Sequence, residues 1–156
     1  MHNQELVTLL QKKQLHISCA ESCTGGMLAS SIVEVPAASS VFDMSFVTYS
    51  NEAKVQLLKV QQETIDEYGV VSEEVAGQMA LGCAKKANSD IGVGISGIAG
   101  PTGATPGKPI GMVCFGFYIK GKILTTTKQF GHIGRTNVRT ESVRYVIDFL
   151  LEELLK

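Results

Sequence analysis

The chain has 156 residues, of which 44% are hydrophobic and 19% are charged, so it is long and apolar enough for one domain. Fourteen basic and 15 acidic residues give a formal charge of -1, which lacks the basic excess that drives nonspecific nucleic-acid binding. No stretch approaches the roughly 18 consecutive apolar residues of a membrane span, and the amino terminus has no signal-peptide pattern. We therefore expect one cytoplasmic domain, residues 1–156, with neither nucleic acid nor membrane as a partner.

Four scattered cysteines and three histidines form no pattern that is typical of a metal site. There is no Cys-x-x-Cys pair and no His-x-x-x-His pair, which are the spacings that zinc sites use. We expect no metal and, in a reducing compartment, free thiols.

Hydrophobic periodicity predicts helices alternating with strands. In chain order, the predicted elements are a helix over 3–13, a strand over 15–20, a helix over 24–33, a strand over 44–49, a helix or turn over 51–60, a helix after Ser72, a strand over 91–95, two strands over 110–119 and 122–130, and a helix after Gly134. This order predicts an α/β layered domain, and the closing hairpin makes its sheet mixed. The alanine-rich helix after Ser72 also carries Gly77 and Gly82, which predicts close packing against a neighbour.

Residues 20–26 (AESCTGG) join an apolar strand to a helix. Such a turn gathers the Ser22 hydroxyl, the Cys23 thiol and unpaired backbone N–H groups, which can stabilise an oxyanion beside a nucleophile. The same Ser-x-Thr spacing is also typical of helix capping. The residues alone leave both interpretations open, and Cys23 is most simply a small packed side chain.

Residues 49–54 (YSNEAK) follow the second predicted strand. If the first two strands are neighbours, Tyr49 and Lys54 lie beside Ser22. A lysine whose pKa is depressed by burial can act as the general base for a serine. The alternative is an exposed helix lysine and a strand-end tyrosine.

Three further segments have features of ligand sites. Residues 92–97 match the G-x-G-x-x-G pattern, but the first glycines fall within a predicted strand and no helix follows, which excludes a dinucleotide site. The glycine-rich loop 97–108 is either an anion-binding loop or a plain crossover. Arg135 and Arg139 share one helix face, where they either grip a phosphate or form a solvated first turn.

Five motifs occur in a fixed order: AESCTGG at 20–26, VTYSNEAK at 47–54, GVVS at 69–72, GISGIAGP at 94–101 and KPIG at 108–111. Together they resemble the CinA C-terminal-domain family over nearly the whole chain. The resemblance implies a single three-layer α/β/α sandwich, homo-oligomers and no cofactor. It also implies hydrolysis of the carboxamide of nicotinamide mononucleotide, the small-molecule partner, to nicotinate mononucleotide and ammonia.

The family's serine nucleophile falls on Ser22, and its tyrosine and lysine fall on Tyr49 and Lys54. The residues then expected to bind substrate are Cys23, Thr24, Gly25, Gly26, Ser96, Gly97, Gly100, Pro101, Arg135 and Arg139. Three alternatives stay open: a regulatory nucleotide-binding module, an amidase for another small carboxamide, and a structural or protein-interaction domain.

Overall fold

The computed structural model describes all 156 residues. Its helices are α1 (Asn3–Lys13), α2 (Met27–Val33), α3 (Asn51–Leu58), α4 (Gln62–Tyr68), α5 (Glu73–Ala87) and α6 (Arg135–Leu154). Its strands are β1 (Ile17–Glu21), β2 (Phe46–Val47), β3 (Ile91–Gly97), β4 (Met112–Ile119) and β5 (Lys122–Gln129).

The five strands form one mixed sheet in the order β2-β1-β3-β4-β5. β1 is parallel to both β2 and β3, whereas β3, β4 and β5 pair antiparallel. Helices α1, α2 and α6 pack on one face around the larger apolar cluster, and α3, α4 and α5 cover the other face. The predicted α/β fold with a mixed sheet is confirmed.

Glycines in the central strands allow α5 to pack close to the sheet. A Cβ on Gly92 would lie 2.1 Å from the Ala80 carbonyl oxygen, and one on Gly94 would lie 2.2 Å from that of Ala76. Neither position therefore accepts a side chain without moving the helix. The first two glycines of the G-x-G-x-x-G pattern serve this helix–sheet contact, and the close packing predicted for the Ala/Gly-rich helix is confirmed.

Two predicted boundaries and one missed helix are the largest differences from the structure. Helix α2 begins at Met27 rather than at Thr24, because Gly25 and Gly26 have φ values of +57° and +101° and form a turn. The second strand pairs only over Phe46–Val47 instead of 44–49, since it is an edge strand with β1 as its single neighbour. Helix α4 was not predicted at all, because only Thr64 and Ile65 of its seven residues are buried.

None of the six helices combines the length and the apolar composition that a membrane crossing requires.

Candidate active site

The candidate site lies where the three parallel strands end. Strand β1 runs into α2 on one face of the sheet, and its neighbour β2 runs into α3 on the opposite face. Adjacent parallel strands whose helices leave on opposite faces open a crevice at the carboxyl edge of the sheet, and this is where α/β proteins commonly bind ligands. Ser22 enters this crevice from β1, and Lys54 enters it from α3.

Ser22 occupies the first position after β1 and continues the sheet for one more hydrogen bond. Its N–H donates to the Ile95 carbonyl at 3.1 Å, and its own carbonyl accepts from the Gly25 N–H at 3.0 Å. The turn that follows is therefore tight and anchored to β3. The N–H groups of Cys23 and Thr24 within this turn donate to no carbonyl. Thr24 is fully buried, whereas Cys23 lines the pocket, so the Cys23 N–H is the one available to a ligand.

Lys54 lies one turn into α3 and is 1% exposed. Its Nζ atom lies 3.1 Å from Ser22 Oγ and donates to the Thr48 carbonyl at 2.7 Å. The Ser50 hydroxyl caps α3 by accepting from the Ala53 N–H, which sets where the helix begins. This short helix brings the ammonium group to the serine, as the predicted adjacency of the first two strands requires.

Burial lowers the pKa of Lys54 from its ordinary value, because water no longer solvates the charged ammonium. None of the ion pairs in the structure involves Lys54, so no carboxylate restores the lost solvation. In its neutral form the amine can donate to Thr48 and direct its lone pair at the Ser22 hydroxyl. That arrangement is the one that a general base needs.

Cys23 is not a competing nucleophile. Burial raises the pKa of its thiol to about 11, so the reactive thiolate is scarce near neutral pH. All four cysteines are free and buried. The interpretation of Cys23 as a small packed side chain agrees with this environment.

Tyr49 and Arg135 form the outer wall of the site. The Tyr49 side chain is 61% exposed, and its hydroxyl accepts a hydrogen bond from Arg135 Nη2 at 3.0 Å. Arg135 Nη1 donates to the Gly100 carbonyl at 2.9 Å. The arginine thereby joins the end of β2 to the glycine-rich loop. No hydrogen bond links Tyr49 directly to Ser22 or Lys54.

These side chains enclose a pocket of about 280 Å³, near the lower end of the roughly 300–1,000 Å³ typical of small-molecule sites. Its lining consists of Ser22, Cys23, Tyr49, Asn51, Lys54, Val70, Val71, Ser96, Gly97, Ile98, Ala99, Thr102, Gly103 and Arg135. A depression of about 320 Å³ lies at the opposite end of the sheet, near Asp90 and Lys120. No buried charged side chain lines that depression, so the Ser22 pocket is the better candidate.

Sequence comparison identifies the family. Residues 1–154 match the model of the CinA C-terminal domain. The chain belongs to the CinA C-terminal domain family. The resemblance that the five motifs predict is confirmed.

Two curated relatives differ in how much of their length this chain covers. A "CinA-like protein" of Kosmotoga olearia is 49% identical over 150 residues, which cover 96% of this chain but 36% of the relative. The chain thus spans about a third of the length of such longer relatives. By contrast, the "Nicotinamide-nucleotide amidohydrolase PncC" of Enterobacter agglomerans is 44% identical over 153 residues, which cover 97% of this chain and 93% of that protein.

Solved structures of CinA proteins share the whole fold. A CinA superfamily protein from Escherichia coli superposes with a TM-score of 0.93 at 35% identity, covering 99% of this chain and 88% of that one. The competence/damage inducible protein CihA from Agrobacterium tumefaciens has a TM-score of 0.93 at 37% identity, with coverages of 100% and 97%.

The residues expected to bind substrate divide into two groups in this CinA domain. Cys23, Ser96, Gly97 and Arg135 line the Ser22 pocket, although the Ser96 hydroxyl donates to the Val70 carbonyl at 2.7 Å. The others lie outside the lining of that pocket: Thr24, Gly25, Gly26, Gly100, Pro101 and Arg139. Of these, Gly25, Gly26 and Arg139 line a separate open cavity of about 640 Å³.

Glu21 is the most important residue that the sequence analysis left without a role. It is 1% exposed and accepts hydrogen bonds from Thr24 Oγ1 and from the N–H groups of Leu28 and Ala29. Its carboxylate therefore caps the first turn of α2 from the end of β1. The sequence signal for this role is a glutamate at the end of a mostly apolar strand, directly before the turn into α2.

Proposed function

We propose that this CinA domain is a nicotinamide-nucleotide amidase, which converts nicotinamide mononucleotide and water to nicotinate mononucleotide and ammonia. The observation that carries the proposal is the buried Lys54 Nζ atom, 3.1 Å from Ser22 Oγ within a pocket. The printed name of the Enterobacter relative supplies the substrate, and the chain matches that relative over 93% of its length.

In the first half of the reaction, Ser22 Oγ attacks the carboxamide carbon while neutral Lys54 takes the hydroxyl proton. The carbonyl oxygen becomes an oxyanion, for which the Cys23 N–H is the candidate donor, since it donates to no carbonyl and Cys23 lines the pocket. Lys54 then returns the proton to the amide nitrogen, and ammonia leaves. The product is an ester between Ser22 and the nicotinate carbonyl.

In the second half, Lys54 accepts a proton from water, which attacks the same carbonyl carbon. The Ser22 oxygen leaves with that proton, and nicotinate mononucleotide is released. We assign Tyr49 an assisting role at the pocket mouth, where its hydroxyl is held by Arg135. The Gly97 segment and Arg135 line the pocket and are the candidate partners for the ribose phosphate.

The test is ammonia release from nicotinamide mononucleotide by the wild type, by Ser22→Ala and by Ser39→Ala, an exposed serine outside the pocket that serves as a control. We expect release by the wild type and the control only, while the nucleotide still raises the melting temperature of Ser22→Ala. Full activity in Ser22→Ala would refute the nucleophile. A raised melting temperature without any ammonia release would favour a regulatory nucleotide-binding module.

The same assay with free nicotinamide separates the substrate alternatives. Equal activity on nicotinamide and on its mononucleotide would mean that the phosphate contributes nothing, and that the domain acts on another small carboxamide. A homo-oligomeric state and a cytoplasmic location, which the sequence analysis expects, stay predictions.

A further inference from the structure

Arg139 contacts the backbone of the nucleophile turn. Its Nε atom donates to the Cys23 carbonyl at 3.0 Å, and Nη2 donates to the Thr24 carbonyl at 3.0 Å. These two residues directly follow Ser22, and the arginine comes from α6, about 115 residues away in the chain. The half-buried guanidinium is thus a fork that holds two successive carbonyl groups.

This arrangement differs from both alternatives that the sequence leaves open for Arg139, a phosphate grip and a solvated first turn. Arg139 does not line the Ser22 pocket; it lies on the separate cavity beside Gly25 and Gly26. Arg135, four residues earlier, lines the pocket itself. Two arginines on one helix face therefore have different partners: Arg139 holds the turn, and only Arg135 lines the Ser22 pocket.

Peptide geometry connects Arg139 to the chemistry. The Ser22–Cys23 peptide is trans, so its carbonyl and its N–H point in opposite directions. The Ser22 carbonyl accepts from the Gly25 N–H within the turn, so the Cys23 N–H is directed away from that hydrogen bond. The Cys23 N–H donates to no carbonyl, and Cys23 lines the Ser22 pocket. Arg139 holds the turn in this conformation through the two carbonyls that follow.

We infer that Arg139 is a positioning residue: by holding the Cys23 and Thr24 carbonyls, it fixes the turn in which the Cys23 N–H faces the Ser22 pocket as a donor to the oxyanion. This inference rests on the proposed function. The Thr24 side chain is fixed from the other direction, since its hydroxyl donates to Glu21 at 2.6 Å. The turn that carries the donor is therefore held by Arg139 and by Glu21 before substrate arrives, as electrostatic stabilisation of a transition state requires.

The experiment compares Arg139→Met, Arg139→Lys and the control Arg144→Met on two substrates. Arg144 is an exposed arginine on the same helix, paired with Glu141 at the surface. The substrates are nicotinamide mononucleotide and nicotinamide riboside, which is the same molecule without its phosphate. We expect Arg139→Met to lower kcat on the order of 100-fold on both substrates, with KM nearly unchanged.

Arg139→Lys keeps one donor group, so we expect its kcat to lie between those of the wild type and Arg139→Met, and Arg144→Met to match the wild type. This graded series keeps the inference testable if Arg139→Met folds poorly by circular dichroism. A rise in KM for the mononucleotide alone, with kcat preserved, would overturn the inference and make Arg139 a phosphate ligand.

A second readout separates this inference from the proposed function. A fluorophosphonate labels an activated serine and places its own oxygen where the oxyanion forms, without any need for the nucleotide. Labelling of wild-type Ser22 without ammonia release would refute the proposed substrate, yet slower labelling of Arg139→Met than of Arg144→Met would still support the positioning role. Equal labelling rates in these two variants would overturn it.

Discussion

Two charged side chains are buried beside Ser22, and they differ in how well the protein satisfies them. Glu21 and Lys54 are each 1% exposed. The Glu21 carboxylate accepts three hydrogen bonds, at 2.6, 2.9 and 3.0 Å, and two of them come from the first turn of α2. The Lys54 ammonium has only the Ser22 hydroxyl and the Thr48 carbonyl, and no carboxylate.

This difference separates a structural charge from a chemical one. A buried carboxylate that accepts three hydrogen bonds is satisfied and holds the backbone that surrounds it. Burial of an ammonium without a counter-charge costs desolvation free energy, and the neutral amine avoids most of that cost. The pKa of the buried lysine is therefore lowered. Glu21 therefore holds the turn, whereas Lys54 is prepared for proton transfer.

The largest expected effect is on catalysis by Lys54→Met. Removing the general base should lower kcat about 10²–10⁴-fold, with KM nearly unchanged, while the free energy of unfolding at pH 7 stays equal or rises because a buried cation is lost. Steady-state kinetics and urea denaturation measure the two quantities, with Lys86→Met, an exposed lysine of α5, as the control. A pure rise in KM would make Lys54 a binding residue.

Glu21→Ala should show the opposite pattern, with its main effect on stability. It leaves the buried Thr24 hydroxyl and the capped N–H groups of α2 without an acceptor, which should cost about 3 kcal/mol of unfolding free energy. Glu21→Gln keeps an acceptor oxygen and should cost less. Glu34→Ala, at the exposed end of α2, is the matched control in urea denaturation. Wild-type stability in Glu21→Ala would contradict the structural role.

Tyr49→Phe should have an intermediate effect on activity and none on folding. The lost hydroxyl makes one hydrogen bond, to Arg135, so we expect kcat to fall roughly tenfold, the equivalent of a single hydrogen bond. The side chain is largely exposed, so the melting temperature should not change. Tyr68→Phe, an exposed tyrosine outside the pocket, provides the comparison. A loss as large as that of Lys54→Met would instead make Tyr49 the principal base.

The smallest effect is the dependence of stability on pH. The pKa of Lys54 is lowered in the folded state, so between that pKa and the ordinary lysine value the unfolded chain binds more protons. Stability then rises with pH across this window. Below the window the wild type carries the full cost of the buried ammonium, so any stability advantage of Lys54→Met should shrink as pH rises toward 10.5. An advantage independent of pH would contradict the lowered pKa.

The fold was largely predictable because its strands and long helices carry clear apolar periodicity. Helix α4 was missed because it lacks this periodicity: its short and mostly polar sequence buries only Thr64 and Ile65. The extent of β2 was overestimated because β propensity in residues 44–49 does not reveal that the strand lies at an edge with two paired residues.

The site was predictable in part. Ser22 and Lys54 could be related because neighbouring parallel strands bring their carboxyl ends together. The separation of Arg135 from Arg139 could not be predicted, since helical spacing assigns both to one face. Their different partners, Gly100 and Tyr49 for the first and Cys23 and Thr24 for the second, come from tertiary contacts across the whole chain.

The most direct test of the central claim is the rate at which a fluorophosphonate labels Ser22 as a function of pH, followed by intact mass in the wild type and in Lys54→Met. If neutral Lys54 activates the serine, the wild-type rate rises with pH through a midpoint below 10.5, and Lys54→Met is slow without this midpoint. Identical profiles in the two proteins would contradict the role of Lys54 as the base.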